Sequence, residues 1–378
     1  MGLWIERQRN ILDFTLSSLA RRKGKNIALV LVYTVLVLLL ASVMFFTHAL
    51  RKQAVLVLQD APAMVIQRMA AGRHDLIPRR YADAIRSVRG VSGVRGRLWG
   101  YYFDPVVSAN YTLLVPERTT QEPGTIVIGE GVSRARAAFP GDILPIRGYD
   151  GQLVYLTITD VLSSTSELVS SDLMLLTEQD YRRLFNLPDG LYTDIVLDVR
   201  NSREVPTVAA KIVKLLPDTR PITRSEVLRT YDSIFDWRSG IVVVILSAAL
   251  LAFVIFAWDK ASGLSAEEKK EIGVLKAIGW ETADVLWLKF WEGTVISLTA
   301  FLAGTALAYV HVFLTPAALF EPVLKGWSTL YPRFRLLPEI DPYQVATLFF
   351  LTVVPYTVST VIPSWRAATI DPDAVMRS

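Results

Sequence analysis

Cysteine is absent from the 378 residues, which excludes a disulfide scaffold, a Cys-ligated zinc or iron–sulfur site and a thiol nucleophile. Histidine is nearly absent too: His48, His74 and His311 are the only three, too scattered for a histidine metal centre. Charge is sparse, with 20% Asp, Glu, Lys and Arg against about 25% in soluble domains. It is also even, 40 basic against 36 acidic residues for a formal net charge of +4, which argues against a nucleic-acid binder with its concentrated basic patch. G-x-x-x-x-G-K-[ST] occurs nowhere; Gly24-Lys25 is followed by Asn26, so this chain has no phosphate-cradling loop. What stands in place of charge is apolar. Hydrophobic residues make up 52% and mean hydropathy is +0.35, an excess that points to a membrane.

Crossing ~30 Å of hydrocarbon takes about 20 residues of helix, and four uncharged runs qualify. They are Ile27–Thr47, Ser239–Trp258, a run from Glu292 to about Thr315, and one between Asp341 and Arg366. Arg21, Arg22, Lys23 and Lys25 precede the first run, which by the positive-inside bias places the amino terminus in the cytoplasm. The first run has 21 residues, whereas the apolar core of a secretory signal has ~7–15, so it reads as an uncleaved anchor. Before it, Trp4, Ile5, Ile11, Leu12, Leu16 and Leu19 fall within about 140° of arc at ~100° per residue, the pattern of an interfacial amphipathic helix.

The fold expected is an α-helical membrane protein with four transmembrane helices and a mixed α/β extracytoplasmic domain inserted between helices 1 and 2. The boundaries are an amphipathic helix at 1–25, helix 1 at 26–48, the α/β domain at 49–237 and helix 2 at 238–258. A cytoplasmic loop at 259–286, helix 3 at 287–315, a short outer loop at 316–341, helix 4 at 342–364 and a cytoplasmic tail at 365–378 follow. Inside the α/β domain, where strand-like and helix-like patterns alternate with frequent turn signals, strands are expected at 63–69, 111–115, 125–128, 153–159, 173–176 and 194–199. Helices are expected at 79–88, 178–185 and 205–216. A weak strand-then-helix repeat, at 63–90 and 194–216, suggests two halves packed in one domain.

The most informative stretch is EEKKEIGVLKAIGW, Glu267–Trp280, between the second and third runs. Val274, Leu275 and Ile278 share one helical face with Ile272 at its edge, while Lys269 and Lys276 point away. Such a helix needs a partner. A passive helix on lipid would show a basic polar face, and this one carries Glu267, Glu268 and Glu271. Gly273 and Gly279 each cost roughly 1 kcal/mol of helix propensity if interior, which is tolerated where another backbone approaches closely or the helix ends. Glu292 is an intramembrane carboxylate, with Lys289 one turn earlier as its ion-pair candidate. His311 is expected to be simply hydrogen-bonded. Ala300, Gly304 and Ala308 read either as a helix-contact stripe or as a lipid-facing one. Arg95-Gly96-Arg97 beside Trp99, Tyr101 and Tyr102 reads as a solvated face in preference to an anionic-lipid or peptide site.

Three motifs in order resemble the permeases of MacB/FtsX/LolC-type (type VII, mechanotransmission) ABC transporters. They are Lys269-Lys270-Glu271-Ile272-Gly273-Val274-Leu275-Lys276-Ala277-Ile278-Gly279, then Phe290-Trp291-Glu292-Gly293, then Pro363, Trp365, Arg366, Ala367, Ala368, Asp371, Pro372, Met376 and Arg377. Looser matches to the family's periplasmic core domain are Ile128-Gly129-Glu130-Gly131-Val132 and Pro140-Gly141-Asp142. The resemblance implies a permease subunit in the cytoplasmic (inner) membrane, both termini inside, coupling ATP hydrolysis by a separate cytoplasmic ABC ATPase to movement of the outer domain. The outcome would be export or extraction of a lipoprotein, peptide, haem or drug. The alternative is a transenvelope signalling module that transports nothing and activates an outside partner such as a cell-wall hydrolase. No catalytic residue, metal or cofactor is expected on this chain; ATP and Mg belong to the partner. Partners implied are ATPase subunits, a second permease copy or paralogue in a dimer, the lipid bilayer and a periplasmic adaptor or lipoprotein. Residues 264–280 would be the coupling helix, with Glu271, Ile272, Gly273, Leu275, Lys276, Ile278 and Gly279 as its ATPase-coupling residues, and Leu275 and Ile278 buried against the ATPase.

Overall fold

The computed structural model describes residues 2–59, 61–118, 121–162, 170–230, 244, 247–248, 250–252, 254–255, 266–315, 317–320, 330 and 336–368. Within them the helices are α1 (Gly2–Arg21), α2 (Lys23–Gln59), α3 (Arg79–Arg86), α4 (Glu130–Arg136), α5 (Glu178–Phe185), α6 (Val205–Leu215), α7 (Ala266–Ala277), α8 (Thr282–Tyr309) and α9 (Pro342–Ala368). The strands are β1 (Met64–Ala70), β2 (Arg73–Asp75), β3 (Ile77–Pro78), β4 (Val91–Arg97), β5 (Trp99–Asp104), β6 (Ala109–Leu114), β7 (Thr125–Ile128), β8 (Ile143–Arg147), β9 (Leu153–Val161), β10 (Leu173–Leu176), β11 (Leu191–Tyr192), β12 (Asp194–Val199) and β13 (Thr219–Thr223). They form two units, one of residues 1–50, 235–318 and 337–378, the other of residues 51–234 and 319–336.

The second unit is mixed α/β and has two lobes. In the first lobe the strand order is β13-β1-β12-β4, with every neighbouring pair antiparallel. Read along the chain this is β1-α3-β4 followed by β12-α6-β13, a split β-α-β arrangement. The two strand-then-helix halves of the weak repeat therefore share a single sheet. Alternation puts Met64, Ile66, Ile195 and Leu197 on one face, where they are buried beneath Ala82 and Ile85 of α3 and Val208 and Ile212 of α6. Each such apolar side chain contributes roughly 1.5–3 kcal/mol on burial.

The second lobe is inserted between β4 and β12. Its six strands run β5-β6-β10-β7-β9-β8, with parallel pairs at β6–β10 and β7–β9. Tyr111, Leu113, Ile126, Ile128, Met174 and Leu156 fill one face under Val132 of α4 and Tyr181 and Leu184 of α5. Leu330, from the segment read as a short outer loop, packs on this core, and Ser171 Oγ donates to its carbonyl at 3.1 Å.

The neck between the lobes is laced. Asp194, fully buried, takes both Arg97 Nε and Nη2 at 2.7 and 2.6 Å and Trp99 Nε1 at 2.8 Å. Thr193 accepts from the Trp99 backbone N–H at 3.1 Å and donates from Oγ1 to the Trp99 carbonyl at 2.8 Å. Arg97 and Trp99, read from the sequence as part of a solvated patch, are thus structural, while Arg95 pairs with Glu117 and Tyr101 stays exposed.

Among the described residues three helical segments are long and apolar enough to cross a membrane: Lys23–Gln53, Thr282–Leu314 and Pro342–Ile362. The expected span Ser239–Trp258 lies for the most part outside the described residues, as does the tail beyond Ala368. Helix contacts are close where side chains are small. A Cβ on Gly304 would stand 2.7 Å from Val37 Cβ and 2.9 Å from the Thr34 carbonyl oxygen. Ala300 and Ala308 are buried with it, so the small-residue stripe of α8 is a helix contact and not a lipid face. Tyr33 stacks on Tyr356 at 5.1 Å and donates to the Thr352 carbonyl at 2.5 Å. His311, in a π-helical turn at Val310–Leu314, shares a 3.0 Å hydrogen bond with Ser42 Oγ.

Candidate functional site

The conspicuous stretch Glu267–Trp280 is helical over Ala266–Ala277 and ends in a glycine-dependent stop. Gly279 has φ of 103°, the left-handed region that side chains avoid. The Trp280 N–H reaches the Leu275 carbonyl at 3.0 Å and the Gly279 N–H reaches Lys276 at 3.0 Å, the paired bonds of a Schellman stop. Gly279 thus ends the helix. Among the described residues no atom outside its own helix backbone and its chain neighbours lies within 4 Å of where a Cβ on Gly273 would sit. Two residues after Gly279, α8 starts with a capping box in which Glu281 and Asp284 each accept from the other's backbone N–H.

The buried face of α7 differs from the one the periodicity suggests. Ile272 and Leu275 are inside, at 7% and 5% exposure, whereas Val274 and Ile278 stand out at 51% and 70%. Leu275 packs with Ile11 of α1 and Leu288 of α8, flanked by Phe14, Trp280 and Trp291. The reading of Leu275 as a residue buried against a partner is therefore corrected: its apolar contacts are made within the chain. The physical reason is α1, whose Gln8, Ile11 and Thr15 form a buried stripe at helical spacing. Gln8 Oε1 accepts from Trp291 Nε1 at 3.0 Å, and Trp4 meets Trp287 edge-on at 6.3 Å. Of the six apolar residues assigned to one lipid-facing side of α1, Ile11 is buried in this way, while Trp4, Ile5 and Leu16 remain exposed.

Charge reinforces the same packing. Arg7 forks onto Asp284 at 2.8 Å through both Nε and Nη2, and Nη2 also reaches Glu281 at 3.0 Å. Glu271 receives Arg22 Nη2 at 2.5 Å, Arg21 Nη2 at 3.2 Å and Ser18 Oγ at 3.5 Å. Lys289 Nζ donates to Glu292 at 2.6 Å, so the carboxylate is paired one turn along its own helix. Glu271 and Glu292 come together in one small cavity, also lined by Thr15, Ser18, Arg22 and Lys289. Of the remaining expected coupling residues, Lys276 is half-buried. The side chains of residues 267–270 lie outside what is described. The sequence reading of α1 as an interfacial helix leaves out this packing role; the signal that marks the stripe is the 8-11-15 spacing of Gln8, Ile11 and Thr15.

Among the described residues the carboxylates here are all paired, Glu271 with Arg21 and Arg22, Asp284 with Arg7 and Glu292 with Lys289. The result is a short helix, capped at its carboxyl end and held by apolar and ionic contacts, with Val274 and Ile278 facing outward.

Residues 239–372 match the FtsX-like permease C-terminal family, a range that contains α7, α8, α9 and the three motif segments up to Pro372. Among solved structures, the α/β region is similar to the extracellular domain of the noncanonic ABC-type transporter YknZ from Gram-positive bacteria, with 12% identity and a TM-score of 0.31 over 42% of this chain and 99% of that one. It is likewise similar to the periplasmic region of MacB from Actinobacillus actinomycetemcomitans, with 12% identity and a TM-score of 0.32 over 45% of this chain and 92% of that one. No curated protein sequence matches.

Proposed function

We infer, from residues 239–372 being an FtsX-like permease domain, that this chain is the permease subunit of an ABC complex in the cytoplasmic membrane. It would cross the membrane four times with both termini inside, pair with a second copy or paralogue, and hold its α/β unit outside. A separate cytoplasmic ATPase would bind ATP and Mg, since this chain carries no phosphate-cradling loop. The residues 266–280 are the coupling helix, and Val274 and Ile278 are the side chains offered to the ATPase. Coupling is a population shift: the nucleotide-bound ATPase favours one position of α7, and the permease follows to the extent of that difference in affinity. The cargo class proposed is a lipoprotein, peptide, haem or drug leaving the membrane or cell.

The observation that carries this reading is the family match over the very segment that holds α7, with two apolar side chains exposed on that helix. Single cysteines in this cysteine-free chain test the topology: an impermeant thiol reagent applied to intact spheroplasts is expected to label position 150 and not 274. Co-expression with an ABC ATPase is expected to yield a complex, and the chain alone to hydrolyse no ATP. Labelling of 274 but not 150, or hydrolysis by the isolated chain, overturns the reading.

A further inference from the structure

We infer that Glu271 is a positioning residue that fastens α7 to the elbow between α1 and α2 through Arg21 and Arg22, so that displacement of α7 reaches α2 as directly as it reaches α8. The inference deepens the proposed function and rests on α7 being the coupling helix.

Connections to the two spans differ in kind. Between α7 and α8 the link is covalent and short: the Gly279 stop, then the capping box at Glu281. Between α7 and α2 nothing covalent is near, because Arg22 and Glu271 lie 249 residues apart in the chain. Arg22 is the single non-helical residue between the end of α1 at Arg21 and the start of α2 at Lys23, so a bond to its side chain grips the elbow itself. Packing of Ile11 on Leu275 also joins the elements, but apolar contact is non-directional and tolerates sliding. A charge-assisted hydrogen bond fixes distance and angle.

Both carboxylate oxygens of Glu271 are engaged, Oε1 by Arg21 and Ser18 and Oε2 by Arg22. A carboxylate so occupied is poorly placed to meet an ATPase. Arg22 is the stronger partner: its side chain is 27% exposed against 60% for Arg21, so solvent screens it less. Lys289, which lines the same cavity, is paired with Glu292.

The test uses the full chain in nanodiscs with spin labels at two exposed sites, Asp13→Cys on α1 and Val274→Cys on α7. The unsubstituted background is expected to give one narrow distance. Glu271→Gln is expected to broaden it, Arg22→Gln to do so more than Arg21→Gln, and the swap Glu271→Arg with Arg22→Glu to narrow it again. With a co-expressed ABC ATPase, Glu271→Gln is expected to retain assembly while stimulation of hydrolysis falls at least about fivefold, the lower end of typical coupling, and the swap to recover it. An unchanged distance in Glu271→Gln overturns the inference. So does lost assembly with an unchanged distance, which would make Glu271 a direct partner contact. If no ATPase assembles with the unsubstituted chain, the proposed function fails while the label distances still decide the fastening.

Discussion

Leu275 and Ile278 lie three residues apart and separate the two faces of α7. Leu275 is 5% exposed and packs on Ile11 and Leu288; Ile278 is 70% exposed. Truncating a buried leucine to alanine costs ~2–5 kcal/mol, and the low end applies to a small cluster at the edge of a bundle, about 2–3 kcal/mol. At 1.36 kcal/mol per decade this is a roughly 30- to 160-fold shift in the local opening equilibrium. Ile278→Ala truncates a side chain that is 70% exposed, and its effect on the fold is expected to stay near ±0.5 kcal/mol, about twofold. Amide hydrogen exchange of residues 266–280 in nanodiscs reads this opening directly. Leu275→Ala is expected to speed exchange in α7 by one to two orders of magnitude while Ile278→Ala leaves it alone and lowers recovery of a co-expressed ATPase. Equal exchange in the two variants, or faster exchange only in Ile278→Ala, would refute the packing of α7 described here.

Gly304→Leu drives a side chain into Val37 and the Thr34 carbonyl; overpacking typically costs ~1–3 kcal/mol, and a lower thermal midpoint of the detergent-solubilised chain is the expected readout, with Gly24→Ala, which meets nothing within 4 Å, as the unaffected control. Asp194→Ala leaves Arg97 and Trp99 Nε1 without their acceptor at the neck; unpairing a buried charge costs ~3–5 kcal/mol, less here because Arg97 is partly solvated, and limited proteolysis is expected to cut near residues 97–99 and 190–194 in this variant only. Asp218 accepts from Tyr81 Oη at 2.9 Å and Arg68 Nε at 3.1 Å; burial alone would raise its carboxyl, but these hydrogen bonds and the Arg68 charge hold it below the ordinary 3.8. A carboxylate depressed in this way stabilises the fold above its unfolded-state pKa and loses that contribution as pH falls through the folded value, so the unfolding midpoint of the parent chain is expected to fall below about pH 4 more steeply than that of Asp218→Asn, and parallel curves would contradict it.

Short elements with complete local signals were legible in the sequence. The helix at 178–185 is written in its own residues: Thr177 accepts from the Asp180 N–H, Glu178 pairs with Arg182 one turn on, and Asn186 closes it in the left-handed region. The strands at 125–128, 173–176 and 194–199 are short apolar runs between turn residues and stand where expected. By contrast β4 and β5, VSGVRGR and WGYYFD, break alternation with glycine and arginine. What makes them strands is pairing with β12, about a hundred residues away, and with β6. The same limit applies at α7. Helical periodicity identifies which residues share a face, but Leu275 goes inside because Ile11 of α1 lies against it, and a helix wheel contains no information about a neighbour more than 250 residues upstream. Glu292 beside Lys289 was readable because both partners sit on one helix; Glu271 with Arg22 was not.

The pairing of β1 in the middle of its sheet sets a timetable for the chain as it is made. Ile66 sits opposite Ile195, and Val65 opposite Ile222, so β1 leaves the ribosome 129 residues before its first main partner. At roughly 5–20 residues per second that is an interval of about 6–26 s, in which Met64, Val65 and Ile66 are an apolar strand with both long edges open. The inserted lobe faces no such delay, because its six strands all fall between Trp99 and Leu176. It can close on itself while the surrounding sheet still waits for β12 and β13. The strands of the insertion are thus all available to one another before β12 and β13 are made, and a residue that slows the closing of those last two strands lengthens exposure of the first.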